Sequence, residues 1–440
     1  MIKGKLILKG EIELLSPTLI GCGMDENSDI DVLKDSEGKV FIPATSLAGV
    51  LRHHIKLNDP YKDKLELFWG SSMGEEDPSK LRQSSIKIDD LLPEGEPSIV
   101  IRDGVKIDSK KGIAEDMGKF DYEIIERGAK FNLNIEITLD GNDDDFKRQM
   151  LATIVNLLKN EKIRIGAKTN SGFGRIRLIN ENLYEFNFSK KEDVLKWLKQ
   201  EFSSPTQLTN PFKINQKTFT ISADFIIKNS LIIRSYNFDP DVPDIEHLKS
   251  NGKPVLPGIS IKGAIRARAE RIVKTLGKPE KIITDLFGYV EKGTKNAKKG
   301  KIIVEETILE EYPEEVQTRI KIDRFTGGVI EGALLETKPL FRGKNSNVLN
   351  LKITIHNYQD YEAGLMLLVL KDLWTGDLPI GGEKAIGRGV LEGKRAEIKW
   401  DEVTIEFENI SQLKDKQREQ LQKFVQALVN YVNEEAKDAK

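Results

Sequence analysis

Apolar and polar residues alternate over residues 3–16, the two-residue period of a strand with one buried face. From Ser46 towards Leu57 the apolar positions recur every three to four residues, which predicts a helix, and a second short helix ends in Leu67-Phe68-Trp69-Gly70. Residues 85–92 and Phe131–Leu139 return to strand patterning, and residues 143–159 carry a helical period through Phe146, Met150, Ile154 and Leu157. The Gly-rich turn Ile165-Gly166-Ala167-Lys168-Thr169-Asn170-Ser171-Gly172-Phe173-Gly174-Arg175 then leads into another strand. In order this reads βαββαβ with insertions, the ferredoxin-like pattern. Lys190–Phe202 has a helical period, and the Ser, Pro and Asn of residues 203–216 mark a linker.

The series then repeats. Strand patterning resumes at Thr218, followed by Leu286-Phe287-Gly288, strands over 301–309 and 349–355, a helix near 359–374 and a second Gly-rich turn from Ile380 to Gly389. Pro43 and Pro257, Gly49 and Gly263, and Arg52 and Arg266 are each 214 positions apart, while Asp108 and Asp323, and Gly174 and Gly389, are 215 apart. A nearly constant offset is the signature of duplication. The expected architecture is α+β: two tandem ferredoxin-like (RRM-like) domains over 1–202 and 217–408, and an amphipathic C-terminal helix within 409–440.

Charge alters this picture little. Lys and Arg number 68 against 70 Asp and Glu, a net charge of -2, which excludes a globally basic nucleic-acid binder but leaves room for local basic grooves. The single cysteine, Cys22, excludes an intramolecular disulfide, and His53, His54, His247 and His356 form no zinc-ligand spacing. The first residues lack the apolar core of a signal peptide and no run is long enough to span a membrane, so a cytoplasmic location is expected.

The candidate chemistry lies in a stretch that occurs twice: an acidic loop, a Gly turn, a short strand ending in Pro, then a helix. Ser46 and Ser260 are expected to cap those helices, whose first-turn N–H groups suit a phosphate. Arg52, Lys262 and Arg266 follow on the same helices, and the Gly-rich turns carry Lys168, Arg175, Lys384 and Arg388. One such turn alone reads as a strand entry with surface charge; two at matching places favour phosphate contact. Asp29, Asp31, Asp241 and Asp244 precede the turn-strand-Pro element, and could solvate or cap a loop, hold a hydrated divalent cation, or orient a 2′-hydroxyl. His53 and His54 suit packing or general acid–base chemistry.

Ile42-Pro43-Ala44-Thr45-Ser46-Leu47-Ala48-Gly49, Leu256-Pro257-Gly258-Ile259-Ser260-Ile261-Lys262-Gly263 and the Gly-rich turns resemble the RAMP superfamily of CRISPR-associated proteins. More narrowly the chain resembles the group-seven backbone subunit of type III effector complexes, as a tandem fusion like those of type III-D. The resemblance implies that each half binds guide crRNA and cleaves target RNA beside other type III effector subunits, with Mg2+ or Mn2+ held by a loop Asp. Asp31 and Asp244 best fit that catalytic and metal position, with Asp29 and Asp241 as rivals. It also implies thumb-like hairpins near 98–125 and 316–340, where Ile107 or Ile322 displaces a base. Ala44 and Ala48 depart from the family's helix start, whereas Gly258 and Lys262 keep it. The alternatives are a non-catalytic crRNA scaffold, and a guide-processing endoribonuclease using His53 or His54.

Overall fold

The computed structural model describes residues 1–23, 28–57, 60–71, 81–108, 111–207, 210–236, 239, 241–291, 296–344 and 348–432. The chain divides into two compact units. The first comprises Met1–Gly104, Phe120–Thr169 and Phe173–Asn215; the second comprises Val105–Lys119, Asn170–Gly172 and Gln216–Lys440.

In the first unit four antiparallel strands lie in the order Ile86–Ile88, Lys130–Leu139, Gly4–Leu14, Ile176–Asn187. In chain order these are strands two, three, one and four, the arrangement of a ferredoxin-like βαββαβ unit. Leu8 stands opposite both Ile135 and Leu183, so alternate residues of the central strand share one buried face. That face is covered by helices α1 (Ala44–His54), through Leu47 and Leu51, and α3 (Asp144–Lys159), through Met150, Ile154 and Leu158. Helix α2 (Lys62–Trp69) ends at Gly70, whose φ of 81° requires glycine. Helix α4 spans Lys191–Leu198.

The second unit repeats this order with one added strand: Ile302–Val304, Leu349–His356, Thr218–Ile227, Leu391–Trp400, Val403–Phe407. Ile221 stands opposite Ile353 and Ile398. Helices α5 (Gly258–Thr275), α6 (Lys281–Phe287) and α7 (Asp360–Trp374) pack on it, and α6 ends at Gly288 with a φ of 83°, as α2 does at Gly70. The fold is therefore α+β, with two tandem ferredoxin-like cores.

In each half of the chain the pattern is interrupted by a β-hairpin: Ile99–Ile107 with Ala114–Ile125, and Gln317–Ile322 with Val329–Lys338. These are the expected thumb-like insertions. Ile107 and Ile322 are 54% and 57% exposed. At the second tip the Asp323 carboxylate accepts the N–H groups of Phe325 and Thr326, both at 2.8 Å, and holds Phe325 fully in solvent. Residues 102–107 are strand, with Arg102 turned inward.

Parts of the 203–216 linker are tied to the first core: Thr206 bridges to Leu183, and Phe212 packs on Tyr61 and Phe146 while its N–H donates to Thr153 Oγ1 at 2.9 Å. The C-terminal helix α8 (Asp415–Asn430) is part of the second core, which Phe424 and Leu428 enter beside α7. Residues 433–440 lie outside the described residues.

Candidate nucleic-acid interface

The two Gly-rich turns have the same backbone. Gly166, Lys168, Gly172 and Gly174 have φ of 78°, 53°, 93° and 72°; Gly381, Glu383, Gly387 and Gly389, each 215 positions on, have 79°, 55°, 83° and 78°. A β-carbon at Gly174 would lie 1.9 Å from the Ile165 carbonyl oxygen, and one at Gly389 1.8 Å from that of Ile380, so only glycine fits either place.

Their side chains differ. Lys168 Nζ lies 3.9 Å from the centre of the Tyr122 ring and 4.5 Å from that of Phe120, both on a hairpin strand, and burial lowers its pKa to about 8. The second half has Glu383 at that position. The Glu383 side chain is buried and draws in Arg388 at 2.7 Å, Arg319 at 3.0 Å and Arg234 at 3.6 Å. Arg388, expected to face phosphates, is instead buried against Glu383 and Gln317, because the carboxylate at the turn offsets its charge internally. Lys384 is exposed. Arg175 is half-buried, its Nε 3.6 Å from Glu161 Oε2.

The duplicated helices start differently from expectation. Their N-cap residues are Pro43 and Pro257, with φ near the proline value and ψ of 136° and 138°. Ser46 and Ser260 are the third helical residues and cap neither helix; each N–H bonds back to the proline carbonyl, at 2.9 and 3.0 Å. In the first half the Ala44 N–H is taken by Asp90 Oδ1 at 2.7 Å. Arg52 Nη2 donates to the Gly70 carbonyl at 3.2 Å, tying α1 to the end of α2. On α5, Arg266 pairs with Glu270 at 3.0 Å, and Lys262 is half-buried. Burial, then repulsion from Arg266 and Lys299, lower the Lys262 pKa to about 8. These cations make α5 the more electropositive of the two helices.

The loop carboxylates separate by burial. Asp31, expected in a flexible loop, is 3% exposed in the short strand Asp31–Val32 and accepts the Ser28 hydroxyl. Asp29 is exposed, and its Oδ2 accepts the Asp121 N–H at 3.1 Å. In the second half Asp244 is exposed, and its Oδ2 accepts the Glu336 N–H at 2.9 Å. Both contacts join the acidic loop to a hairpin strand 92 residues later. Asp29 and Asp244, and Asp121 and Glu336, are each 215 apart, so Asp244 corresponds to Asp29. At the Asp31 position the second half has Glu246, which pairs with Lys338 at 3.1 Å. Asp241 is exposed; its N–H donates to Asp239.

The loop from Asp29 to Pro43 is one residue longer than that from Asp244 to Pro257. The 215 offset of the later landmarks, carried back into the loop, identifies the correspondence. Sequence reading missed Asp121 and Glu336, which act through backbone N–H contacts to the acidic loop, and Glu383, which acts through ion pairs with Arg234, Arg319 and Arg388.

His53 is exposed, and His54 is partly buried with its pKa lowered by that burial, by His53 and by Lys162. Among the described residues no three His, Cys, Asp or Glu side chains converge as a metal cage, and no helix is long and apolar enough to cross a membrane.

Residues 11–177 and 224–392 each match one family model, described as the RAMP superfamily. The matched stretches follow the two ferredoxin-like series. No curated protein matches the chain.

Proposed function

The chain belongs to the RAMP superfamily, and from that premise we propose that it is a double backbone subunit of a CRISPR type III effector complex, binding guide crRNA and cleaving paired target RNA once in each half. The observation that carries this reading is the duplicated junction between an exposed loop carboxylate and a hairpin strand, Asp29 with Asp121 and Asp244 with Glu336.

Guide binding rests on Lys262 and Arg266 of α5, with Lys384, Arg52 and Arg175 as further cations. Contacts of this kind position a strand without reading its bases. The hairpins present exposed apolar residues, Ile107 in the first and Ile322 and Phe325 in the second, which suit insertion between base steps.

Cleavage by a 2′-hydroxyl needs the attacking oxygen, phosphorus and leaving oxygen in line, and a nucleotide turned out by a wedge supplies that geometry. Asp29 and Asp244 are the carboxylates proposed to orient or deprotonate the hydroxyl, held by backbone N–H groups at the foot of the wedge. Asp31, buried against Ser28, supports the loop. A divalent cation bound chiefly by water and phosphate requires only one or two protein carboxylates, and Asp29 and Asp244 fit that donor set. When bound, Mg2+ or Mn2+ would supply charge neutralisation at the phosphate.

The test is cleavage of end-labelled target RNA by the assembled complex, with magnesium and then with chelator. Loss of one cut in Asp29→Asn and of another in Asp244→Asn is the expected result. Two unchanged cuts in the double variant would assign cleavage elsewhere and leave this chain a scaffold.

A further inference from the structure

Each hairpin is fastened at its base by a buried guanidinium, and the two halves build that contact from different positions. In the first half Arg102, on the strand Ile99–Ile107, lies 5.8 Å from the centre of the Phe173 ring, with its Nη2 3.6 Å from Glu126 Oε1. In the second half Arg388, on the Gly-rich turn, lies 5.8 Å from the centre of the Phe341 ring. Its Nε is 2.7 Å from Glu383 Oε2, and its Nη2 donates to Gln317 Oε1 at 2.5 Å.

The 215 offset carries Arg102 to Gln317, Glu126 to Phe341 and Phe173 to Arg388. The cation has moved from the hairpin strand to the Gly-rich turn. The ring has moved from that turn to Phe341, just past the hairpin's second strand. The carboxylate has moved from Glu126 to Glu383, the residue at the Lys168 position. A second brace accompanies each: Lys168 over Phe120 and Tyr122, and Glu383 with Arg319.

A buried charge is costly unless paired, and removing one partner strands the other. A planar guanidinium against a ring, with a carboxylate nearby, fixes orientation as well as distance. We propose that Arg102 and Arg388 are positioning residues that lock the base of each hairpin to its own Gly-rich turn, so that the two meet RNA together. The step to RNA rests on the function proposed above; the fastening does not.

The experiment is amide hydrogen exchange on the full chain without RNA. Arg102→Gln should speed exchange in Ile99–Ile107 and Ala114–Ile125 by about tenfold or more, with Gly4–Leu14 and Lys130–Leu139 unchanged. Arg102→Lys, which keeps charge but not the planar group, should fall between. Transplanting the second half's arrangement, Arg102→Gln with Glu126→Phe, Lys168→Glu and Phe173→Arg, should return exchange to within about threefold of wild type. Unchanged hairpin exchange in Arg102→Gln, or a transplant as loose as the single variant, overturns the proposal. Should the transplant not fold, Arg388→Gln decides: the Gln317–Lys338 hairpin must loosen alone, and unaltered exchange there overturns it. Wild-type chain that binds no guide RNA while its variants exchange as expected would overturn the functional reading and leave the fastening standing.

Discussion

Asp29 and Asp121 hold each other's backbone: the Asp121 N–H donates to Asp29 Oδ2 at 3.1 Å, and the Asp29 N–H donates to Asp121 Oδ1 at 2.9 Å. The pair clamps the acidic loop to the hairpin strand while leaving carboxylate lone pairs in solvent. Asp31, two residues on, has its side chain spent inside the fold.

Substitution should therefore separate the two residues. Asp29→Asn retains an oxygen for the Asp121 N–H and should remove one target cut without lowering thermal stability. Asp31→Ala leaves its buried hydroxyl partner unpaired and should cost about 1–3 kcal/mol, with both cuts still made at temperatures where the variant is folded. Paired unfolding curves and cleavage ladders check this; a stable Asp31→Ala chain that has lost one cut would return the catalytic role to Asp31.

Lys262 carries the sharpest expectation for guide binding. Its pKa of about 8 is set by burial and by neighbouring cations. A phosphate favours the protonated amine, so affinity should be flat below pH 8 and fall as pH rises beyond it, where binding must first take up a proton. Lys262→Ala should weaken binding, flatten that part of the pH profile and shallow the log–log salt slope by about 0.7–0.9. Filter-binding titrations between pH 6.5 and 9.5 at several salt concentrations decide it; a variant with the wild-type slope removes Lys262 from the interface.

The hairpin tips should act on target and not on guide. Ile322→Ala with Phe325→Ala removes exposed apolar surface that contributes nothing to either core. Unfolding should be unaltered, guide affinity should change less than about twofold, and the cut assigned to the second half should slow by about tenfold or more as base unstacking loses its wedge. Equal slowing of both cuts would place the wedge elsewhere. Ile107→Ala is the matching test in the first half.

The cores were legible because burial imposes a period. Leu6, Leu8 and Ile12, or Met150, Ile154 and Leu158, repeat at the spacing of their elements and all enter the core. Duplication was legible from the spacing of Pro, Gly and Arg. The 203–216 stretch was read as a linker from its Ser, Pro and Asn, which say nothing of Phe212, whose anchoring depends on Tyr61 and Phe146 far away in sequence. The charged site residues were the least legible. A carboxylate or guanidinium has the same letter whether it faces water or a buried partner, and only the fold turns Asp29 outward while Asp31 and Arg388 turn in.

His247 gives the second core a pH dependence. It is buried where Val32 stands in the first half by the 215 offset. Its Nδ1 accepts the Ile233 N–H at 3.2 Å, so the proton of the neutral ring lies on Nε2, 2.9 Å from the Val255 carbonyl oxygen. Protonating Nδ1 would set two donors face to face, and burial lowers the pKa to about 4. The unfolded chain, with a histidine near 6.5, binds the proton first as pH falls. The stabilisation is therefore complete above pH 6.5, declines between pH 6.5 and 4, and is gone below. The loss between pH 7.5 and 5 should be about 2 kcal/mol. Urea unfolding of the second core, followed through Trp374 and Trp400 after Trp69 and Trp197 are replaced by Phe, measures it. His247→Gln should be less stable at pH 7.5 and lose less on acidification. A variant whose urea midpoint falls with pH as steeply as that of the wild type would show that another group sets the acid response.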